Sequence, residues 1–89
     1  MRKARYSILF KKKLKKLKGK ELRNVLNKKD EILKRKDINF YKNLRYDLKH
    51  FKRVHVNDSY VILFKGFEDV IYFIDYEHHD KIYKKKYDF

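Results

Sequence analysis

The sequence predicts an α+β domain of order β-α-α-β-β-β, an antiparallel sheet with two N-terminal helices packed on one of its faces. Three observations lead there. A short run of β-forming residues opens the chain, large apolar residues then recur at helical spacing as far as Leu33, and from Phe51 onward β-branched and aromatic residues alternate with polar ones. The 89 residues make one domain, since so short a chain cannot build two independent cores.

The first strand is expected in RYSILF (5–10), preceded by Ala4. A Lys-rich segment with Leu14 and Leu17 follows, and Gly19 interrupts it. From Glu21 onward Leu22, Val25, Leu26, Ile32 and Leu33 fall on one helical face, so two helices separated near Gly19 are expected. Their Lys and Arg residues lie mostly on the opposite face, which has two readings: a solvated surface that keeps the chain soluble, or a contact for RNA. An irregular stretch is expected over 37–49. FKRVHVN (51–57), SYVILFK (59–65) and DVIYFIDY (69–76) then form three strands in series, and KGFE makes the last hairpin turn with Gly66. The chain has no internal repeat and no Pro- or Ser-rich linker.

Composition narrows the function. Lys and Arg number 26 against 12 Asp and Glu, a net charge of +14, which points to a polyanionic partner because each neutralised phosphate releases counterions. Nucleic acid is the first candidate and an anionic membrane the second. Cysteine is absent, which excludes disulfides, thiolate zinc sites and a cysteine nucleophile and fits a cytoplasmic protein. The apolar run 6–10 is too short for a signal peptide or a membrane span. A membrane-surface helix is the weakest reading, because 11–20 offers only Leu14 and Leu17 for insertion.

The charge is unevenly distributed: residues 1–20 hold ten basic side chains and no acid, whereas 66–80 hold five acids and no base. The acidic stretch ends in DYEHHDKIYKKKYDF (75–89), where two histidines stand between Glu77 and Asp80. Histidine exchanges protons near neutrality, and a neighbouring carboxylate can orient its ring. Strand alternation puts Val54 and Val56 on one side, with Phe51, Arg53, His55 and Asn57 on the other. If the helices cover the Val54 side, Arg53 and His55 line the open side, where the segment after the last strand can join them. His55 also reads as an ordinary surface histidine. His78 and His79, as neighbours on an extended segment, project to opposite sides, so no shared metal is expected without a turn.

The run KRVHVNDSYVILF (52–64), a following hairpin strand and then HHDKIY (78–83) resemble the C-terminal half of RelE-type toxins of the RelE/ParE superfamily, nearest the archaeal RelE-like chains and the YafQ branch. Three features form the likeness: an R-x-H-V strand, an apolar strand ending in an aromatic, and a terminal histidine followed four residues later by an aromatic. The resemblance implies an endoribonuclease that enters the ribosomal A site and cuts mRNA by attack of a ribose 2′-hydroxyl, without metal or cofactor, and that a cognate RelB-like antitoxin restrains.

By the same resemblance His55, His79 and Tyr83 match the strand histidine, the terminal histidine and the final aromatic. The third-strand arginine of many RelE-like toxins aligns with Val61 or Tyr60, so Arg53 or Lys52 is expected to supply that charge. Where the YafQ branch has an acid after the strand histidine, this chain has Ser59, with Asp58 one place earlier. Lys42 stands near a further histidine of that branch. Lys42, Lys52, Phe51 and His78 are the expected RNA contacts, with Phe51 and Tyr83 suited to stacking on bases. For Tyr83 a plain core contact is the competing reading. Two other functions fit the composition: a non-enzymatic basic RNA- or ribosome-binding protein, and a ParE-like gyrase inhibitor, which shares the fold but not the histidines.

Overall fold

The computed structural model describes residues 1–37, 41–43 and 51–84. Among these, β1 (Lys3–Tyr6) leads into helices α1 (Ile8–Lys16) and α2 (Gly19–Lys34), then a two-residue strand β2 (Lys42–Asn43), the strands β3 (Lys52–Val56), β4 (Tyr60–Gly66) and β5 (Val70–His78), and a 3-10 turn (Ile82–Lys84). The expected α+β order is present, with the short β2 inside the stretch expected to be irregular. Residues 38–40 and 44–49 of that stretch lie outside the described residues.

The first strand is shorter than the sequence suggests. Ser7 takes an extended conformation and its Oγ accepts the Phe10 N–H at 3.0 Å, so it caps α1 and draws Ile8 to Phe10 into the helix. The same hydroxyl donates to the Ile74 carbonyl at 2.5 Å, fixing the start of α1 against β5. Three lysines in the last turn of α1 complement its dipole. Gly19, at φ +59°, then carries the chain into α2 through the left-handed region, which glycine enters without the clash of a Cβ.

The sheet order is β1-β5-β4-β3-β2. β2 to β5 are antiparallel neighbours, but β1 runs parallel to β5, in register Lys3 with Val70 to Tyr6 with Phe73, so the sheet is mixed rather than antiparallel. The meander of β3, β4 and β5 leaves one edge of β5 free, and the alternation of Ala4 and Tyr6 fits β1 there, packing both residues against the core beneath the helices. Arg2 holds the junction. Its guanidinium donates to the carbonyls of Glu68, Arg35 and Lys36, joining the β4–β5 turn to the end of α2.

Phe10, Val25, Ile32, Leu33, Ile62, Phe64, Ile71 and Phe73 make the main core between the helices and the sheet. Leu26, expected on the buried face of α2, is 37% exposed, because the stripe that meets the sheet runs through Val25, Ile32 and Leu33 instead. Gly66 is the last ladder residue of β4, paired with Ile71, so the turn itself lies beyond it, closed by Phe67 N–H to Val70 O at 2.8 Å. At the other hairpin Asn57 and Asp58 take left-handed φ angles of 55° and 58°, which these two residue types tolerate well.

The opposite face of the sheet has its own small cluster of Phe51, Val61, Leu63, Ile74 and Ile82. Ile82 belongs to the 3-10 turn, so the chain folds back over this face after β5. No helix among the described residues is long and apolar enough to cross a membrane.

Candidate functional site

Strand alternation sets the site. Val54 and Val56 pack towards the helices, and His55 is exposed on the other face, as the period-two pattern predicts. In the ladder His55 stands opposite Val61, which stands opposite Glu77; one step along, Arg53, Leu63 and Asp75 repeat the row. A β-bulge between Leu63 and Phe64 lets both Ile74 and Asp75 turn to this face.

Beyond the last pair, Tyr60 with His78, the His79 N–H donates to the Ser59 carbonyl at 2.9 Å. This bond folds the corner 78–80 against the β3–β4 turn, and the His79 ring comes to 6.1 Å from that of His55, centroid to centroid. Asp80 lies beside it, with Oδ1 3.0 Å from His79 Nδ1. Burial, then the positive Arg53, then His79 push the His55 pKa down, so His55 favours the neutral imidazole.

A charged chain runs from this corner to α1. Lys13 Nζ lies 2.5 Å from Asp75 Oδ1 and 3.1 Å from Glu77 Oε2, while Glu77 Oε1 accepts the His78 N–H at 2.9 Å. Asp75 is fully buried. Sequence reading did not single out Lys13, because on a helix of lysines nothing local distinguishes the one that faces the sheet. The buried aspartate in the otherwise apolar VIYFID run was the available signal.

The remaining expected residues divide. Arg53 is half-buried on the histidine face. Lys52 projects the other way, donating to the Tyr41 carbonyl at 3.4 Å and to Asn43 Oδ1 at 2.9 Å, so it does not join Arg53. Phe51 is only 6% exposed, packed in the small cluster with Lys65 Nζ 4.7 Å above its ring, and offers little surface to a base. His78 is half-buried, with its ring stacked on His79 at 4.6 Å and edge-on to Tyr60 at 5.6 Å. Lys42 sits in β2 opposite Arg53, and Tyr83 lies in the 3-10 turn that crosses the histidine face. The contacts expected of their side chains lie outside what is described. One groove in the surface runs along α2, lined by Asn24, Asn27, Glu31 and Asn57. A polymer laid along the exposed rim of the sheet at His55 and His79 needs no enclosed cavity.

A small basic domain with two helices on one sheet face and imidazoles on the other defines a class, and comparison with known proteins gives it a family. No family model matches the chain. A protein of Methanocaldococcus jannaschii that carries the toxin name RelE4 is 45% identical over 76 residues, covering 83% of this chain and 79% of that protein. An uncharacterized protein of Methanosarcina mazei is 42% identical, covering 80% and 83%. Among solved structures, the RelBE2 toxin–antitoxin complex of Mycobacterium tuberculosis matches with a TM-score of 0.71 at 19% identity, over 88% of this chain and 91% of that one. YafQ of E. coli matches with a TM-score of 0.69 at 18% identity, over 93% and 99%. The chain belongs to the RelE family of toxins, the toxin components of toxin–antitoxin systems.

Proposed function

We propose that this toxin is a ribosome-dependent endoribonuclease that cuts mRNA in the A site, in the cytoplasm, by attack of a ribose 2′-hydroxyl on the adjacent phosphate. The approach of His55 and His79 to 6.1 Å on an exposed face supports this reading above all. The reaction needs a base for the 2′-hydroxyl proton, an acid for the leaving 5′-oxygen and cations for the growing negative charge. His55, favouring the neutral form, takes the role of base. His79, oriented by Asp80, delivers the proton to the leaving group, and Arg53 faces the phosphate. No step calls on a metal.

The ribosome presents the message to so open a site, and the exposed lysines of α1 and the start of α2 make the phosphate contacts. A RelB-like antitoxin is the proposed cellular partner, since the RelBE2 and DinJ–YafQ structures are of toxin–antitoxin complexes of this fold. It would stabilise the toxin by mass action. Single-turnover cleavage on programmed ribosomes tests the proposal: His55→Ala or His79→Ala should each slow it by roughly 10²–10⁴-fold, with products ending in a 2′,3′-cyclic phosphate and a 5′-hydroxyl. A double variant that still cuts at the wild-type rate would leave a non-enzymatic ribosome-binding protein as the better description.

A further inference from the structure

Two neighbouring histidines on a strand point apart, and sequence alone therefore assigns them no common ligand. The fold removes that obstacle. β5 ends at His78, and the chain turns at once, closed by Lys81 N–H to the His78 carbonyl at 2.9 Å. The turn stacks the two imidazoles at 4.6 Å with their planes 23° apart. Asp80 completes the corner, its carboxylate 3.0 Å from His79 Nδ1 and 3.8 Å from His78 Nδ1. One ligating atom from each of the three residues lies within 4.8 Å of the other two. All three residues are at least partly open to solvent, so an ion has a path in.

We propose that His78, His79 and Asp80 bind a divalent transition ion, Zn²⁺, Ni²⁺ or Cu²⁺, and that the bound ion switches cleavage off. Two imidazoles and a carboxylate suit these ions rather than Mg²⁺ or Ca²⁺, which prefer all-oxygen shells. Ligand bonds of about 2.0–2.2 Å hold two donors of one ion no more than about 4 Å apart, so modest side-chain rotations close the site. Closing it exchanges the Asp80 N–H bond to His78 Nδ1, at 3.2 Å, for a metal bond. Three consecutive residues with one carboxylate among them, on a chain of charge +14, make an exchangeable site suited to a regulator rather than a resident ion.

The inhibitory half of the proposal rests on the proposed cleavage. An imidazole whose lone pair is held by a metal cannot carry a proton, and fixing His79 towards Asp80 and His78 takes it from the phosphate.

Chelator-treated protein, titrated with ZnCl₂ and followed by calorimetry and by the imidazole resonances, tests the site directly. One ion per chain is expected, with the His78 and His79 rings shifting together, and His78→Ala/Asp80→Ala should weaken binding about tenfold or more. Binding equal in the wild type and the double variant, or shifts confined to His50 and His55, would overturn the site. In programmed-ribosome cleavage, stoichiometric Zn²⁺ should stop the wild type and EDTA should restore it. Undiminished cleavage by the zinc-loaded protein would overturn the inhibitory role. Zinc bound at these residues in a protein that never cuts would instead sink the nuclease reading and leave the site standing.

Discussion

Removing the Lys13 ammonium takes a cation away from two carboxylates that the fold has withdrawn from water. Asp75 is fully buried and the Glu77 side chain is 13% exposed, with the Lys13 side chain at 23% between them. Losing one partner of a buried pair costs about 3–5 kcal/mol, because the remaining charge keeps its desolvation penalty. Water reaches Lys13 and Glu77 in part, and Asp75 also accepts the Tyr76 N–H at 2.8 Å, which lowers the expected cost to about 2–3 kcal/mol. In a domain of this size that corresponds to a fall in Tm of about 10–20 °C. Lys13→Met, which keeps the length of the stem, should show this loss in urea unfolding followed by circular dichroism, with an unchanged m-value. Lys13→Met/Asp75→Leu should be more stable than the single variant, since apolar groups can replace a buried pair at little cost. A Lys13→Met protein within about 0.5 kcal/mol of wild type, or a double variant weaker than the single, would refute the reasoning.

Ser7→Ala removes the α1 cap and leaves the Ile74 carbonyl without its donor, so a loss of about 1–2 kcal/mol is expected in the same unfolding assay. Tyr41 and Tyr76 are both raised to about 12, by burial first and then by Glu31 and Glu21 respectively. Because the folded state holds these protons more tightly, stability should be fully present below pH 10, the ordinary tyrosine pKa, and fall between pH 10 and 12. Tyr76→Phe should flatten that fall, as urea midpoints on either side of the window would show. Ribosome binding should weaken steeply with salt, and replacing the exposed Lys11, Lys12 and Lys15 with Gln should reduce the slope of log K against log salt.

The elements with a clear period were legible from sequence. Val54 and Val56 against Arg53 and His55 fixed the faces of β3, because in a strand alternation alone decides which side a residue takes. The edge that β1 joins was not legible, since pairing of strands far apart in the chain leaves no local mark, and a short β-forming run serves a parallel neighbour as readily as an antiparallel one. The boundary at Ser7 was lost for a related reason. Ile8, Leu9 and Phe10 read as strand by composition, and the cap that makes them helix is one hydroxyl, held in place by the carbonyl of Ile74 on β5, adjacent in the sheet but distant in sequence.

The candidate site shows the same division between local and non-local information. That His55 faces away from the helices follows from its strand, but its approach to His79 depends on a bond from the His79 N–H to the Ser59 carbonyl, beyond the end of the ladder. That bond requires both the left-handed turn at Asn57 and Asp58 and the end of β5 at His78. Glu77 ties the same corner to α1 through Lys13. The imidazoles are therefore positioned by three elements from different parts of the chain, two of which, α1 and β5, are joined by charge as well as by apolar packing. It follows that a substitution at Lys13, which touches neither histidine, should move the separation of His55 and His79, whereas one at Leu26 on the exposed side of α2 should not.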